Sequence, residues 1–249
     1  MKIPSVAGLT DVGTVRAANQ DAIDWRISDD HRQILLVVAD GMGGYQGGEI
    51  ASRIAVDTVM ETLGAHFESG NGGLCDARPD AIQVAINLAS ERIQERRAAD
   101  PDLAKMGTTL VVSWVIDGEA LIAHLGDSRC YLVHKGELQC LTRDDTVVQN
   151  MLEDGSIQPD DVPHVPFRNV LTRALGASSA LASFGRVVME SGDCLLLCSD
   201  GLIDGLPEAD WLPLMSAQKS ADEQVRALVQ ASLDNEAADN VSVVILILD

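Results

Sequence analysis

The chain has 249 residues, of which 46% are hydrophobic, so it is long and apolar enough for a sizeable core and is not an intrinsically disordered protein. Its 18 basic and 38 acidic residues give a formal net charge of −20, which would repel nucleic acid and anionic membrane surfaces. Aromatic residues make up only 3% of the chain, too few to provide stacking platforms for single-stranded nucleic acid.

Cysteine usage and the distribution of apolar residues indicate a cytoplasmic protein. The five cysteines form no Cys-x-x-Cys pair, so reduced thiols are the simplest interpretation, with Cys194 and Cys198 as small core residues. The first residues lack the apolar stretch of a signal peptide. The longest apolar run, residues 243–248, is far shorter than the roughly 20 residues that span a bilayer. We therefore expect no membrane anchor.

The first half of the chain predicts one short strand, one buried strand and two helices. A short strand and a polar segment occupy residues 1–33. Residues 34–39 are six consecutive apolar residues that end at Asp40-Gly41, a pattern typical of a fully buried strand. Helices are predicted at about 48–66 and from about Pro79 onward, because apolar residues recur there every three or four positions.

The apolar period then changes to two. Strands joined by tight turns are predicted at 107–117, 119–127, 130–136 and 137–142, which together suggest an antiparallel meander. The remaining predicted elements are a short helix at 145–155, a hairpin of 187–188 with 193–199, helices near 207–217 and 221–234, and a strand at 241–248. Helices and antiparallel strands come in blocks and no linker divides them, so we expect an α+β fold in a single domain.

Four of the apolar strands carry an aspartate at one end: Asp40, Asp127, Asp200 and Asp239. One such residue is typical of a turn, but four suggest carboxylates that converge at one end of stacked sheets, where repulsion would require cations between them. A ligand set of oxygen atoms alone favours Mg²⁺ or Mn²⁺ over zinc or copper. Two such ions about 3.5–4 Å apart can hold a phosphoryl group, and Arg16 is the candidate to bind its oxygens.

Seven short motifs follow one another in the order and spacing of a known family. They are Arg16-Ala-Ala-Asn19-Gln20-Asp21, Asp40-Gly-Met-Gly-Gly44, Met106-Gly-Thr-Thr-Leu110, Gly126-Asp-Ser-Arg129, Leu171-Thr-Arg-Ala-Leu-Gly176, Ser199-Asp-Gly-Leu202 and Asp239-Asn240. The chain thereby resembles the metal-dependent protein phosphatases, the type 2C serine/threonine class, in its compact bacterial form. The resemblance covers essentially residues 5–249 and implies an α-β-β-α sandwich, two packed antiparallel sheets flanked by helix pairs. It also implies one catalytic domain, residues 1–249, with a flap at about 145–170.

The resemblance further implies a role for individual residues in holding two Mn²⁺ or Mg²⁺ ions. Asp40 would bridge both ions, and the carbonyl oxygen of Gly41 would bind one of them. Asp200 and Asp239 would bind the other ion. Asp21 would hold metal-bound waters in the outer shell.

Further implied roles concern a third ion and the substrate. Asp127, with Asp200, matches the third-metal position of bacterial members, and Arg16 matches the phosphate-binding arginine. The implied reaction is direct attack of metal-bound hydroxide on the phosphorus of phosphoserine or phosphothreonine, without a phosphoenzyme. The implied partners are phosphorylated proteins and a cognate serine/threonine kinase, and we expect a monomer.

Three positions depart from the family pattern. Met42 stands where animal members often carry a histidine proposed as the general acid, so that role is unassigned, and His164 is interpreted as an ordinary flap residue. Asp145 stands where the family usually has histidine, a change that bears on flap docking or substrate choice rather than on metal ligands. Gln20 replaces a glutamate of some relatives.

Alternatives come from other classes of protein. A dinucleotide-binding module would need a third glycine at position 46, which is Gln46, and Asp40 would face a pyrophosphate. A catalytically inactive relative that acts as a regulatory binding module is the other alternative, although it would usually have lost a residue such as Asp40 or Asp239. A different substrate, such as the phosphoserine of an anti-sigma-factor antagonist, would require the same catalytic residues.

Overall fold

The computed structural model describes residues 4–43, 47–67, 77–166, 168–177 and 180–248. Its strands are β1 (Ser5–Asp11), β2 (Asp21–Ile27), β3 (Gln33–Met42), β4 (Gly107–Thr108), β5 (Leu110–Ile116), β6 (Glu119–Leu125), β7 (Arg129–His134), β8 (Glu137–Cys140), β9 (Ser183–Val188), β10 (Cys194–Cys198) and β11 (Val241–Ile247). One sheet has the order β1-β11-β10-β7-β8, and the other has the order β2-β3-β5-β6-β9 with β4 paired to β3. All of these strand pairs are antiparallel.

The helices lie outside the two sheets. They are α1 (Gly47–Gly64), α2 (Arg78–Ala99), α3 (Val147–Glu153), α4 (Asp200–Gly205), α5 (Trp211–Leu214) and α6 (Ala221–Asp234), with short 3₁₀ turns at Pro101–Leu103, Pro159–His164 and Glu208–Asp210. Within the described ranges, none of these helices has the length and apolar character that crossing a membrane requires.

Three layers of apolar side chains separate four layers of secondary structure. In β3, Leu35 and Val37 pack with the residues of α1 and α2, whereas Leu36 and Val38 pack between the two sheets. This burial on both faces explains why residues 34–39 are apolar without alternation. A third cluster, which includes Leu196 of β10, packs the other sheet against α4, α5 and α6. The α-β-β-α sandwich is thus confirmed.

The two long predicted helices are also confirmed. The apolar face of α2, which includes Ile82, Ile86 and Ile93, is buried, as is the face of α1. Cys194 and Cys198 are buried in β10, whereas Cys75 lies outside the described residues. Residues 1–33 hold two strands rather than one, and α4 has no counterpart among the predicted elements.

The predicted meander and the predicted hairpin are wrong. β5 pairs with β6 and β7 pairs with β8, but β6 and β7 belong to different sheets. Likewise, β9 pairs with β6, while β10 lies between β7 and β11 in the other sheet. Alternation of apolar residues identifies strands without specifying their partners. The crossing from β6 to β7 passes through residues 126–128 and carries Asp127 to the ends of both sheets.

Candidate metal centre

A cavity of about 530 Å³ opens where strands of both sheets end. Six of the seven predicted site residues line it, namely Arg16, Asp40, Gly41, Asp127, Asp200 and Asp239. The seventh, Asp21, is buried on β2 directly opposite Asp40 on β3. The structure therefore brings together residues that lie more than 200 positions apart in the chain.

Hydrogen bonds on both sides fix the backbone of Asp40. Its N–H donates to Thr109 Oγ1 at 2.9 Å, and its carbonyl oxygen accepts from the Thr109 N–H at 2.8 Å and from Thr108 Oγ1 at 2.8 Å. The next residue must be glycine, because a Cβ on Gly41 would lie 2.1 Å from the carbonyl oxygen of Gly48. Gly44, the last residue of this motif, lies outside the described residues.

Asp21 is oriented by two serines: Ser199, which begins one of the motifs but to which the sequence assigns no role, and Ser242, which the sequence did not single out. Its Oδ2 accepts hydrogen bonds from Ser199 Oγ at 2.8 Å and Ser242 Oγ at 2.6 Å. Its Oδ1 is buried and has no hydrogen-bond partner within the described part of the chain. One oxygen of Asp21 is thus held by the protein, and the other remains available to a ligand or an ordered water.

Asp200 and Asp127 occupy the start of a helix and a turn, respectively. Asp200 is the first residue of α4, and Ser199 alone separates it from the end of β10. Its Oδ1 is buried and lacks a hydrogen-bond partner among the residues that the structure describes. Asp127 follows Gly126, which has a φ of 98°. An unpaired buried carboxylate oxygen is costly, so the Oδ1 of Asp200 indicates that a cation or a water belongs in the cavity.

Arg16 lies at the mouth of the cavity beside Asp239. Its NH2 donates to Asp239 Oδ2 at 2.5 Å, and 54% of its side chain is exposed. The other oxygen of Asp239 accepts from the N–H of Asn240 at 2.8 Å. The hydrogen bond to Asp239 raises the pKa of Arg16, so the guanidinium is charged.

The carboxyl groups of the cavity resist ionisation in the absence of a cation. Burial raises the pKa of Asp40 well above its ordinary value, and the charges of Asp21 and Asp200 raise it further. Burial and then the charge of Asp127 raise the pKa of Asp200 to about 8. Burial raises the pKa values of Asp21 and Asp127 to about 6 each. Divalent cations would favour the ionised form of all four groups.

The donor set fits hard divalent ions. All the cavity ligands are oxygen atoms, which suits Mg²⁺ or Mn²⁺. Within the described ranges, no three side chains of Asp, Glu, His or Cys form a group that could hold one ion by themselves. Each ion would therefore need water or carbonyl oxygen to complete its shell, as Mg²⁺ usually does in proteins.

A second cavity of about 170 Å³ lies beside the first and shares two of its residues, Asp127 and Asp200. Asp144, Asp204 and Arg129 also line it, together with residues of the predicted flap such as Val162 and Asn169. The charge of Asp204 raises the pKa values of Asp127 and Asp200.

The predicted flap begins and ends at one short strand pairing. Thr146 bridges to Leu171, and the Val147 N–H donates to the Val170 carbonyl at 2.9 Å. Phe167, within this segment, lies outside the described residues. No histidine is among the described residues that line either cavity.

Comparison with known proteins gives one consistent result. The sequence model of the family described as Protein phosphatase 2C matches residues 14–236. The chain is 34% identical to the serine/threonine protein phosphatase PstP of Mycobacterium tuberculosis over 240 residues, which cover 96% of this chain and 44% of that relative. It is 31% identical to the protein phosphatase PhpP of Streptococcus pneumoniae, with 96% of this chain and 95% of the relative covered. The chain thus spans less than half of the mycobacterial relative and nearly all of the streptococcal one.

A solved structure of the relative PstP has a fold similar to that of this chain. The catalytic domain of PstP in complex with two manganese ions is 31% identical to this chain. The two structures superpose with a TM-score of 0.82, and 99% of each chain is covered.

Proposed function

This chain belongs to the Protein phosphatase 2C family, and we propose that it hydrolyses phosphoserine and phosphothreonine in phosphoproteins with the help of divalent metal ions. The observation that carries this proposal is the pairing of buried, unpartnered carboxylate oxygens with an exposed guanidinium at one cavity of the described structure. The carboxylates suit cations, and the guanidinium suits the phosphate that those cations would attract.

Four residues would hold two core ions. We assign these ions to the oxygens of Asp40, Gly41, Asp200 and Asp239, with Asp40 shared between them, and Mn²⁺ or Mg²⁺ fits the oxygen ligands. The two manganese ions of the PstP structure support the number. When bound, such ions neutralise phosphate charge and lower the pKa of a water so that it can attack phosphorus.

The protein's own groups bind and orient the reactants. Arg16 has donors free for phosphate oxygens in addition to the one that it gives to Asp239, because a guanidinium carries five N–H groups. Asp21, held on Oδ2 by two serines, presents Oδ1 to orient a water. The backbone hydrogen bonds of Asp40 keep its carboxylate in place as charge changes in the cavity.

Finer features of the proposal concern a third ion and the partners. A third ion would bind between Asp127 and Asp200, which line both cavities. Asp127→Asn should then reduce the Mn²⁺ bound per chain from three to two, as measured by titration calorimetry, and an unchanged number would remove the third site.

A cognate serine/threonine kinase would supply the phosphoproteins, and the protein would act in the cytoplasm as a monomer. Residues 1–249 would form one catalytic domain.

The first experiment measures hydrolysis of p-nitrophenyl phosphate and of a phosphothreonine peptide with Mn²⁺, with Mg²⁺ and with EDTA. We expect metal-dependent turnover of both substrates that EDTA abolishes. Folded protein without turnover in any metal would contradict the proposal and support the inactive, regulatory alternative. Turnover that persists in EDTA would contradict the role of the metal ions.

A further inference from the structure

We propose that Asp145 is a positioning residue that joins the turn bearing Asp127 to the end of the flap, so that both move as one unit when a peptide substrate binds. This inference rests on the proposed function for its link to peptide recognition. The juxtaposition itself involves three parts of the chain: residues 126–127, Asp145 and residues 171–173.

Asp145 forms a closed pair of hydrogen bonds with Gly126. The Asp145 N–H donates to the Gly126 carbonyl at 2.9 Å, and the Gly126 N–H donates to Asp145 Oδ2 at 3.2 Å. Gly126 has a φ of 98°, a left-handed conformation that glycine adopts without strain and that a side chain would oppose. The next residue is Asp127, which lines both cavities.

The other groups of Asp145 bind the end of the flap. Its Oδ1 accepts a hydrogen bond from the guanidinium of Arg173, and its carbonyl accepts from the Thr172 N–H at 2.7 Å. Arg173 also donates to Ser183 Oγ at 2.8 Å, which connects the same segment to the start of β9. The flap and the Asp127 turn thus meet at a single residue.

The carboxylate of Asp145 is buried, so its two oxygens depend on hydrogen bonds from the protein. Only 1% of the Asp145 side chain is exposed, against 36% of Arg173. A buried carboxylate oxygen without a hydrogen bond is costly, and here one oxygen of Asp145 bonds to the turn and the other bonds to the flap.

Asp145→Asn tests the junction because an amide has only one acceptor oxygen. If that oxygen accepts from Gly126, the NH₂ group faces the guanidinium of Arg173, and the opposite orientation sets NH₂ against the Gly126 N–H. In either orientation one of the two links is lost with little change of shape. Arg173→Gln removes the charge from the more exposed side, so it serves if the first variant fails to fold.

Asp193→Asn is a matched control. Asp193 is also buried, with 5% of its side chain exposed, and it also uses both oxygens. Oδ1 pairs with His134 Nδ1 at 2.8 Å, and Oδ2 accepts from the Glu190 N–H at 2.7 Å. It lies at the end of β10 opposite to Asp200, so it tests the loss of a buried aspartate away from the cavity.

Hydrogen exchange of the backbone amides, measured on the full chain, tests the hydrogen bonds around Asp145 without requiring catalytic activity. In Asp145→Asn we expect the amides of Gly126 and Thr172 to exchange at least tenfold faster together, whereas Asp193→Asn leaves both unchanged. Faster exchange at only one of the two amides, or at both in the control, would refute a shared junction. If wild-type protein shows no phosphatase activity, the proposed function fails while this measurement still decides the link.

Kinetics with two substrates measures the consequence for recognition. A phosphothreonine peptide has residues on either side of its phosphate that can reach the flap, whereas p-nitrophenyl phosphate has none. We expect KM for the peptide to rise about fivefold or more in Asp145→Asn and Arg173→Gln, and KM for p-nitrophenyl phosphate to stay within about twofold. Equal changes for both substrates would overturn the role in peptide recognition.

Discussion

Arg16 and Arg32 are two exposed arginines that each pair with one aspartate, but only Arg16 lies at the cavity. Their side chains are 54% and 58% exposed. Arg32 directly precedes β3, far from the cavity at the end of that strand, and it donates two hydrogen bonds to Asp117 in the turn between β5 and β6. We expect Arg16→Ala to raise KM by about 10- to 100-fold with a smaller effect on kcat, because it removes charged hydrogen bonds to phosphate. Arg32→Ala is the control and should leave KM unchanged. An unchanged KM in Arg16→Ala would place the phosphate site elsewhere.

Asp40 offers a second test at the scale of one residue. Asp40→Asn removes the charge that two cations would share, so metal-dependent turnover should fall by about 1000-fold or more. The fold should remain, because burial and neighbouring carboxylates already disfavour the charged form of Asp40 without metal. Far-ultraviolet circular dichroism checks the fold, and Asp117→Asn is a surface control. Retained turnover in Asp40→Asn would remove the bridging role.

The sequence predicts the acidic residues of the cavity better than it predicts their supports. Asp40, Asp127, Asp200 and Asp239 are identifiable because each stands at the end of an apolar strand. Ser199, which orients Asp21 from a distance of 178 positions, has no such signal because its role depends on a side-chain contact. The sequence draws attention to Asp145 but does not predict its pairing with Arg173, since the two residues are 28 positions apart and belong to no common helix or strand.

At the scale of elements, the turn after β6 decides where Asp127 lies. Gly126 has a φ of 98°, and a Cβ there would lie 2.7 Å from Thr109 Cγ2. Gly136, in the turn between β7 and β8, has a φ of 81°, and a Cβ there would meet no atom of the described residues within 4 Å. The two glycines therefore share a backbone conformation and differ in crowding.

This pair of glycines gives an element-scale prediction. Gly136→Ala should lower the free energy of unfolding by about 1–2 kcal/mol, the cost of a left-handed residue with a side chain. Gly126→Ala should cost more, because the added methyl group also meets Thr109. It should also weaken Mn²⁺ binding, since it displaces the Asp127 turn. Urea unfolding and metal titration measure both effects, and equal costs in the two variants would contradict the crowding.

The same turn shows why strand pairing is harder to predict than the strands themselves. The period-two pattern predicts strands at 119–127 and 130–136, and β6 and β7 lie there, but the pattern contains no information on which sheet each strand joins. A short turn ordinarily suggests a hairpin. Here Gly126 allows the chain to cross between sheets, so the short connection of residues 126–128 joins two strands, β6 and β7, that do not pair with each other.

At the scale of the whole molecule, the acidic cavity links stability to pH. The pKa values of Asp21 and Asp127 are raised to about 6 and that of Asp200 to about 8, from an ordinary value of 3.8. Between the ordinary pKa and the raised pKa of each carboxyl group, the folded chain binds more protons than the unfolded chain. The free energy of unfolding therefore falls as pH rises through this range. Metal-free protein should therefore lose thermal stability from about pH 4 to about pH 8.

Saturating Mn²⁺ should abolish or reverse this trend, because the ions bind the ionised carboxylates of the folded state. Thermal unfolding followed by circular dichroism, at several pH values with and without Mn²⁺, measures both curves. Metal-free protein that becomes more stable across this pH range would contradict the raised pKa values. A single transition in each curve is expected if residues 1–249 form one domain.

The position of β11 has a consequence for how the protein is made. β11 lies between β1 and β10, and β1 has no other partner in its sheet among the described residues. During translation β1 leaves the ribosome before the other described strands, and its partner strand, β11, is synthesised only after all the rest. Asp239 and Asn240 emerge just ahead of that strand. A nascent chain therefore cannot assemble the complete cavity, and the centre forms only when synthesis reaches β11.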